Sequence, residues 1–264
     1  MLKKERALFL SNDKYKEYGN TNTYDVDKSL SLMKPEDINL LKQNVYCNKT
    51  DIIVSMTTHR GRISNIPKVL KSILNQTYKP AKIIINISIE EFKNERSIPD
   101  DVFHFIMTNN IELNWEKTNT KVYKKIIPTL LKYKNSLVLS IDDDFIYPTT
   151  MIEDFYNIYK KNPNSPISGN RITKFGMDCH CGCASLVQYK FFGIYIEDYL
   201  KYYSHCPSSD IFFTMTALKN GYKYVRTKNL YFKNLKTIPS NYGYSKGGSI
   251  NMINVTYNWL KKNI

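Results

Sequence analysis

The stretch Ser136-Leu137-Val138-Leu139-Ser140-Ile141-Asp142-Asp143-Asp144-Phe145-Ile146-Tyr147-Pro148 decides the fold. An apolar run of strand formers stops at three consecutive carboxylates, and an aromatic/apolar triplet and a proline follow at once. A short, continuous apolar run with β-branched residues predicts a buried strand. Open α/β sheets hold their ligands outside the carboxyl ends of the strands, which is where these acids fall. Successive side chains of an extended chain point to opposite faces, so Asp142 and Asp144 are expected on one face and Asp143 on the other. Two carboxylates facing one site suit Mg²⁺ or Mn²⁺, hard cations that complete their shell with phosphate oxygens and water. A solvated acidic turn is the plainer reading of the same residues. The strongly apolar strand before them, in a Lys-rich chain, favours a metal-diphosphate site.

On the N-terminal side, Asp51-Ile52-Ile53-Val54-Ser55-Met56 reads as a second apolar strand running into the basic loop Thr57-Thr58-His59-Arg60-Gly61-Arg62. Ile66, Val69, Leu70, Ile73 and Leu74 then recur at helical spacing, up to Gln76-Thr77-Tyr78-Lys79-Pro80. Lys82-Ile83-Ile84-Ile85-Asn86-Ile87-Ser88 is a third apolar strand. Strand, loop, helix and strand make the βαβ unit of a parallel sheet. Ile111 to Trp115 predicts a short strand. Val122, Ile126, Ile127, Leu130 and Leu131 predict one helix over 121–133 despite Pro128, with Lys121, Lys124 and Lys125 near its start.

On the C-terminal side, Met151, Ile152, Phe155, Ile158 and Tyr159 predict a helix that stops at Asn162-Pro163. Ser208-Ser209-Asp210 reads as the cap of a helix that Gly221 ends. Tyr222 to Val225 is expected as a strand, and the glycine-containing tail 236–258 as a mobile loop before a final helix. Residues 1–50 are weakly patterned, apart from a helix start at Lys34-Pro35-Glu36-Asp37, and are expected to be an N-terminal extension.

The chain has 264 residues, 42% of them hydrophobic, enough for one large domain with a real core. Lys and Arg number 38 against 24 Asp and Glu, a net charge of +14 that favours anionic partners: nucleotides, nucleic acid or an anionic membrane surface. The excess is mostly lysine spread along the chain, not a compact arginine stripe. No run approaches the length of a membrane span. The apolar part of the N-terminus is too short for a secretory signal, so a cytoplasmic protein is expected, in peripheral contact at most with the inner membrane face. The 5 cysteines, an odd number, argue for free thiols.

These residues in this order resemble the nucleotide-sugar glycosyltransferases of the GT-A fold, near the large bacterial family 2. The resemblance rests on Ser55-Met56-Thr57-Thr58, Arg62, Gln76-Thr77-Tyr78-Lys79-Pro80, Lys125-Ile126-Ile127-Pro128-Thr129-Leu130, Asp142-Asp143-Asp144 with Tyr147-Pro148, and Ser208-Ser209-Asp210-Ile211-Phe212. It covers roughly residues 51–250. It implies a single-domain α/β fold of Rossmann-like type, with a mostly parallel sheet flanked by helices. Residues 51–150 would be the nucleotide-sugar half and 151–264 the acceptor half. It implies transfer of a sugar from a nucleotide-diphosphate sugar, UDP-sugar being favoured, to a glycan or lipid-linked glycan acceptor in cell-surface polysaccharide assembly. Ser55, Thr57, Thr58, Arg62, Lys125, Asp142 and Asp143 would bind the nucleotide sugar, Asp142 and Asp144 the metal, and Asp210 would be the base of an inverting transfer. Lys125 reads equally as an exposed helix lysine, Arg62 as a surface-loop residue, and Asp210 as a helix cap.

The chain departs from that pattern at Cys179-His180-Cys181-Gly182-Cys183. Thiolates and imidazole suit zinc, but the spacing is wrong for ribbons and fingers, and small cysteines also pack as core. Two other functions fit parts of the chain. A sugar-phosphate nucleotidyltransferase also needs a metal-diphosphate site, but it wants a glycine-rich loop where Thr57 to Arg62 holds one glycine. A basic nucleic-acid-binding protein would bind with steep salt dependence and leaves the acids unexplained.

Overall fold

The chain divides into two compact units, Met1–Cys47 and Asn48–Ile264. A computed structural model describes residues 48–264 except 170–172, 176, 179, 181–182, 228–234 and 240–245. The expected N-terminal extension therefore lies outside the described residues, apart from 48–50.

Nine strands carry the account: β1 (Ile52–Thr57), β2 (Lys82–Ser88), β3 (Glu112–Glu116), β4 (Leu137–Ile141), β5 (Phe145–Ile146), β6 (Ile167–Ser168), β7 (Ala184–Val187), β8 (Val225–Arg226) and β9 (Lys236–Thr237). The helices are α1 (Ile66–Leu74), α2 (Asp100–Thr108), α3 (Ile127–Lys132), α4 (Met151–Lys161), α5 (Ser209–Lys219) and α6 (Lys246–Asn263). One sheet of 7 strands runs in the order β8-β6-β7-β4-β1-β2-β3. β1 is parallel to both β2 and β4, β2 is parallel to β3, and β8 is parallel to β6. Only β7 runs antiparallel, between β4 and β6. The mostly parallel α/β sheet expected from the sequence is present.

Apolar side chains cover both faces, which is why these strands read as continuous runs rather than alternations. Val54, Ile85 and Leu139 pack with Leu70 of α1, Ile106 of α2 and Phe155 of α4. On the other face Val138 and Val187 pack with Leu130 of α3, Phe213 of α5 and Leu260 of α6. All five residues of β4 are buried. Glycine is required at one element end: Gly221 turns the chain out of α5 at φ +84°, and its N–H bonds the Leu218 carbonyl.

Three expectations fail. The helix over 121–133 is two pieces, a 3-10 turn at Lys121–Lys125 and then α3, because Pro128 begins a new helix rather than continuing one. The strand at 222–225 shrinks to β8. Residues 246–258, taken for loop, belong to α6, with Gly247 and Gly248 in its first turn. Among the described residues no helix is long and apolar enough to cross a membrane.

A polar seam crosses the face of the sheet under the 3-10 turn. Asn86 Nδ2 donates to Ser55 Oγ (3.1 Å) and to Thr129 Oγ1 (3.1 Å), and Asn86 Oδ1 accepts from Asn114 (2.8 Å). Ser55 Oγ then donates to the Lys125 carbonyl (2.6 Å). Buried hydroxyls and amides are costly only when unpaired, and here each has a partner. Asn86→Leu would strip a partner from buried Ser55 and Thr129 and from half-buried Asn114 at once. The expected cost is about 2–3 kcal/mol, read as a lower urea midpoint with an unchanged slope.

Candidate functional site

The parallel strands β1, β2 and β4 end on one edge of the sheet, and the chain leaves β4 straight into Asp142, Asp143 and Asp144. The antiparallel β7 begins at that edge, because Ala184 pairs with Ile141. Tyr147 fixes the start of the acidic turn. Its buried hydroxyl accepts from the Asp142 N–H (2.9 Å) and donates to the Cys183 carbonyl (2.6 Å). Burial, reinforced by the charge of Asp142, raises that phenol well above its ordinary pKa, so it stays neutral. Gln76 fixes the far side. Its amide N–H donates to the Pro148 carbonyl (2.6 Å), and its carbonyl accepts from the Ile152 N–H (2.9 Å). The Ile238 N–H bonds the Asp144 carbonyl (2.7 Å), and β9 pairs antiparallel with β5 just beyond it.

The three carboxylates do not alternate. The chain turns at Asp143 and Asp144 instead of staying extended, so the strand rule no longer applies there. Asp143, expected to face away, is buried between Thr58 Oγ1 (2.8 Å) and Arg62 Nη1 (2.9 Å). The same Arg62 nitrogen lies 3.0 Å from Asp144 Oδ2. Asp142 pairs instead with Lys125 Nζ (2.7 Å). Lys125 is only 5% exposed, so the exposed-lysine reading is wrong: the 3-10 turn and the Ser55 bond drive its ammonium inward onto the acids. Arg62 likewise sits over the turn with a guanidinium raised above its usual pKa; burial opposes that shift, and Asp143 and Asp144 drive it.

Asp144 is the unbalanced member. Its Oδ1 is buried and has no hydrogen-bond partner. Burial and the neighbouring Asp142 push its carboxyl up to about 6, against the opposing pull of Arg62. An orphaned acid oxygen beside two more carboxylates is what a divalent cation would relieve, so the donor set fits a hard cation. It fits one held sparsely: among the described residues no cluster of three or more His, Cys, Asp or Glu could hold a metal. Two carboxylates plus phosphate and water oxygens make a Mg²⁺-type shell.

The other expected residues fall around this turn. Ser55 is fully buried inside the sheet, so it supports Lys125 from below and cannot itself touch a nucleotide. Thr57, half-buried, donates to the Asn86 carbonyl (2.7 Å). Asp210 lies in the first turn of α5, and the cap position is Ser208. Asp210 is therefore not the helix cap, although an acid in a first turn also suits the helix dipole. Its turn is linked through Thr214 to His180. The His180 N–H donates to Thr214 Oγ1 (2.8 Å), which donates to the Asp210 carbonyl (2.6 Å). Burial and the Lys125 charge hold His180 neutral, and its Nδ1 shares a hydrogen bond with the Tyr224 hydroxyl (3.0 Å).

Cys179, Cys181 and Gly182 lie outside the described residues, and Cys183 is buried. His205 stacks flat on Trp259 (5.0 Å between ring centres). Sequence reasoning passed over Asn86 and Lys124. Asn86 was visible as a lone amide in an isoleucine strand. Lys124 is 2% exposed, pairs with Glu91 (3.2 Å) and Asn119, and has its ammonium pKa lowered by burial. Nothing local marks it, because the residues that bury it come from other segments.

No family profile matches the chain, and no curated protein sequence matches it. By structure it is similar to the mannosyltransferase PcManGT from Pyrobaculum calidifontis, solved in complex with GDP-Man and Mn²⁺. That match has a TM-score of 0.52 at 11% identity, over 74% of this chain and 58% of that one. It is also similar to S. aureus TarS 1-349 in complex with UDP (TM-score 0.47, 11% identity, 78% of this chain and 64% of that one). A cytidylyltransferase from Leptospira borgpetersenii matches with a TM-score of 0.47 at 12% identity, over 83% of this chain and 98% of that one. The chain thus spans less than two thirds of the first two structures. The mannosyltransferase likeness shows the fold, a GT-A-like α/β sheet.

Proposed function

We propose that this chain is a glycosyltransferase that moves a sugar from a nucleoside diphosphate to a glycan or lipid-linked glycan acceptor, aided by Mg²⁺ or Mn²⁺. The observation that carries the reading is the orphaned Oδ1 of Asp144 in a carboxylate turn at the strand ends, with Arg62 and Lys125 already on those acids. A nucleic-acid-binding surface has no use for such a turn. Asp142 and Asp144 would hold the cation, which when bound neutralises charge on the departing diphosphate.

The chain's own residues would do the rest. Departure of the nucleotide builds negative charge on the β-phosphate, and preset cations in a partly dry site stabilise it. Lys125 and Arg62 are such cations: Arg62 offers a planar fork and Lys125 a point charge, released from the acids as phosphate takes their place. Thr57 and Thr58, at the end of β1, would border the nucleoside. Asp210 would take the proton from the acceptor hydroxyl as it attacks the anomeric carbon, giving inversion. UDP as the nucleotide, a role in cell-surface polysaccharide assembly, and the division at residues 50 and 150 belong to the same proposal.

The first test is thermal unfolding with a panel of nucleoside diphosphates and sugar nucleotides, each with and without Mn²⁺. A ligand that binds only the folded state adds about 2.7 kcal/mol at a hundred times Kd. One diphosphate should stabilise the protein in the presence of metal and not in its absence. If none does under any metal condition, the transferase reading is wrong. Asp210→Asn should leave that stabilisation intact and lower transfer by roughly 10²–10⁴-fold. Near-normal turnover by this variant would remove Asp210 from the mechanism.

A further inference from the structure

A cavity lies at the other end of the sheet. It measures about 590 Å³ and is walled by the strand beginnings, Ile53, Lys82 and Leu137 among them. Leu137 opens β4 and Asp142 follows its last residue, so the cavity and the acidic turn are separated by roughly 16 Å of strand. The volume lies within the range of small-molecule sites.

Its lining mixes aromatic rings with hydrogen-bonding groups. Tyr133, Tyr156 and Tyr159 supply the rings. Tyr156 and Tyr159 stand one turn apart on α4 with nearly parallel planes (24°, centres 6.5 Å apart). Asp51 and Gln188 supply acceptors. The Gln188 Oε1 is buried and has no hydrogen-bond partner among the protein's own groups. A buried carbonyl oxygen left unmatched is unfavourable, so it favours a donor that the protein itself does not supply. The cationic neighbour, Lys82, is engaged with Glu112 (2.9 Å) and the Tyr133 hydroxyl (3.0 Å), which leaves the cavity poorly suited to a phosphate.

We infer that this cavity is a saccharide-binding site separate from the donor site. A sugar ring presents an apolar C–H face, which packs on tyrosine, and a rim of hydroxyls, which donate to Asp51 and, once the amide turns toward the cavity, to Gln188 Oε1. A nucleotide would bring charge that meets only Lys82, which is already engaged with Glu112. A glycan bound here and also at the strand ends would gain from two-point attachment. That last step rests on the proposed transferase function; saccharide binding itself does not.

The test is saturation-transfer NMR with cellotetraose, maltotetraose and chitotetraose, in EDTA and without nucleotide. At least one tetrasaccharide is expected to bind the wild-type protein. Gln188→Leu, which keeps the bulk and removes the amide, is expected to weaken it about tenfold or more. Tyr159→Ala should do the same, and it carries the comparison if the first variant fails to fold. Asp144→Asn should leave this binding unchanged. The inference is overturned if none of the three binds, if both cavity variants bind like wild type, or if Asp144→Asn abolishes binding, which would place the sugar at the acidic turn. Because metal and nucleotide are absent, failure here leaves the transferase reading standing, and failure of that reading leaves this result standing.

Discussion

Asp144→Asn is expected to lower transfer on the order of a thousandfold and, in chelated protein, to raise stability. The two effects share one cause. Asp144 carries a charge that the folded protein does not match, since its Oδ1 is buried without a partner and Asp142 lies beside it. Its carboxyl is pushed up to about 6 from 3.8. The folded state therefore holds the proton more tightly than the unfolded chain does. Between about pH 4 and 6 the native protein binds more protons, so stability falls as pH rises through that window and stays reduced above it. The gap is worth on the order of 3 kcal/mol. Asparagine cannot ionise, so the slope should vanish and the variant should exceed wild type by about 1 kcal/mol or more at pH 7, after losing part of its bond to Arg62. Urea midpoints of both proteins in EDTA from pH 4 to 7 would show this. Parallel curves would mean that Asp144 is already compensated and has no need of a cation.

Arg62→Met is expected to have the opposite sign. One guanidinium nitrogen serves both Asp143 and Asp144, at 2.9 and 3.0 Å. Removing it leaves two poorly exposed carboxylates next to a third. Breaking a buried pair from one side costs about 3–5 kcal/mol, because the remaining charge is stranded. The loss should be measurable as a lower midpoint in EDTA. Millimolar Mn²⁺ should recover much of it, since a divalent ion supplies the positive charge that Arg62 provided. Equal destabilisation with and without metal would show that Arg62 does not stand in for a cation.

Much of this arrangement was legible in the sequence. Ile52 to Thr57, Lys82 to Ser88 and Leu137 to Ile141 read as buried strands because burial on both faces leaves a plain apolar run. α1 and α4 read correctly from their spacing, and Gly221 marked the end of α5. What failed was whatever depends on residues distant in sequence. Lys125 read equally as an exposed helix lysine, because nothing near it in the chain shows that Ser55, 70 positions away, draws its carbonyl into the sheet. Asp143 looked outward because strand alternation was carried two residues past the strand's end at Ile141. Its partner Arg62 is 81 positions away. β7 gave no sign of running antiparallel, since a buried run of four residues has no direction. α6 was hidden by its glycines, which lower helix propensity, while packing of Leu260 against α5 outweighs that deficit.

The hydrogen bond from Ile238 to the Asp144 carbonyl, with β9 laid against β5, joins segments about 90 residues apart. Pairings of that span close a long loop and are slow to form. β1, β2 and β4 bury a large apolar surface as they pair, whereas β9 is two exposed residues, so a refolding chain would assemble those strands first and hold its three carboxylates in an unfinished turn until β9 arrives. Charge repulsion among the acids is then greatest in the intermediate, before the last strand docks. Divalent ions added during refolding would act on that intermediate, so any influence of such ions would extend from the finished site to the order in which it is built.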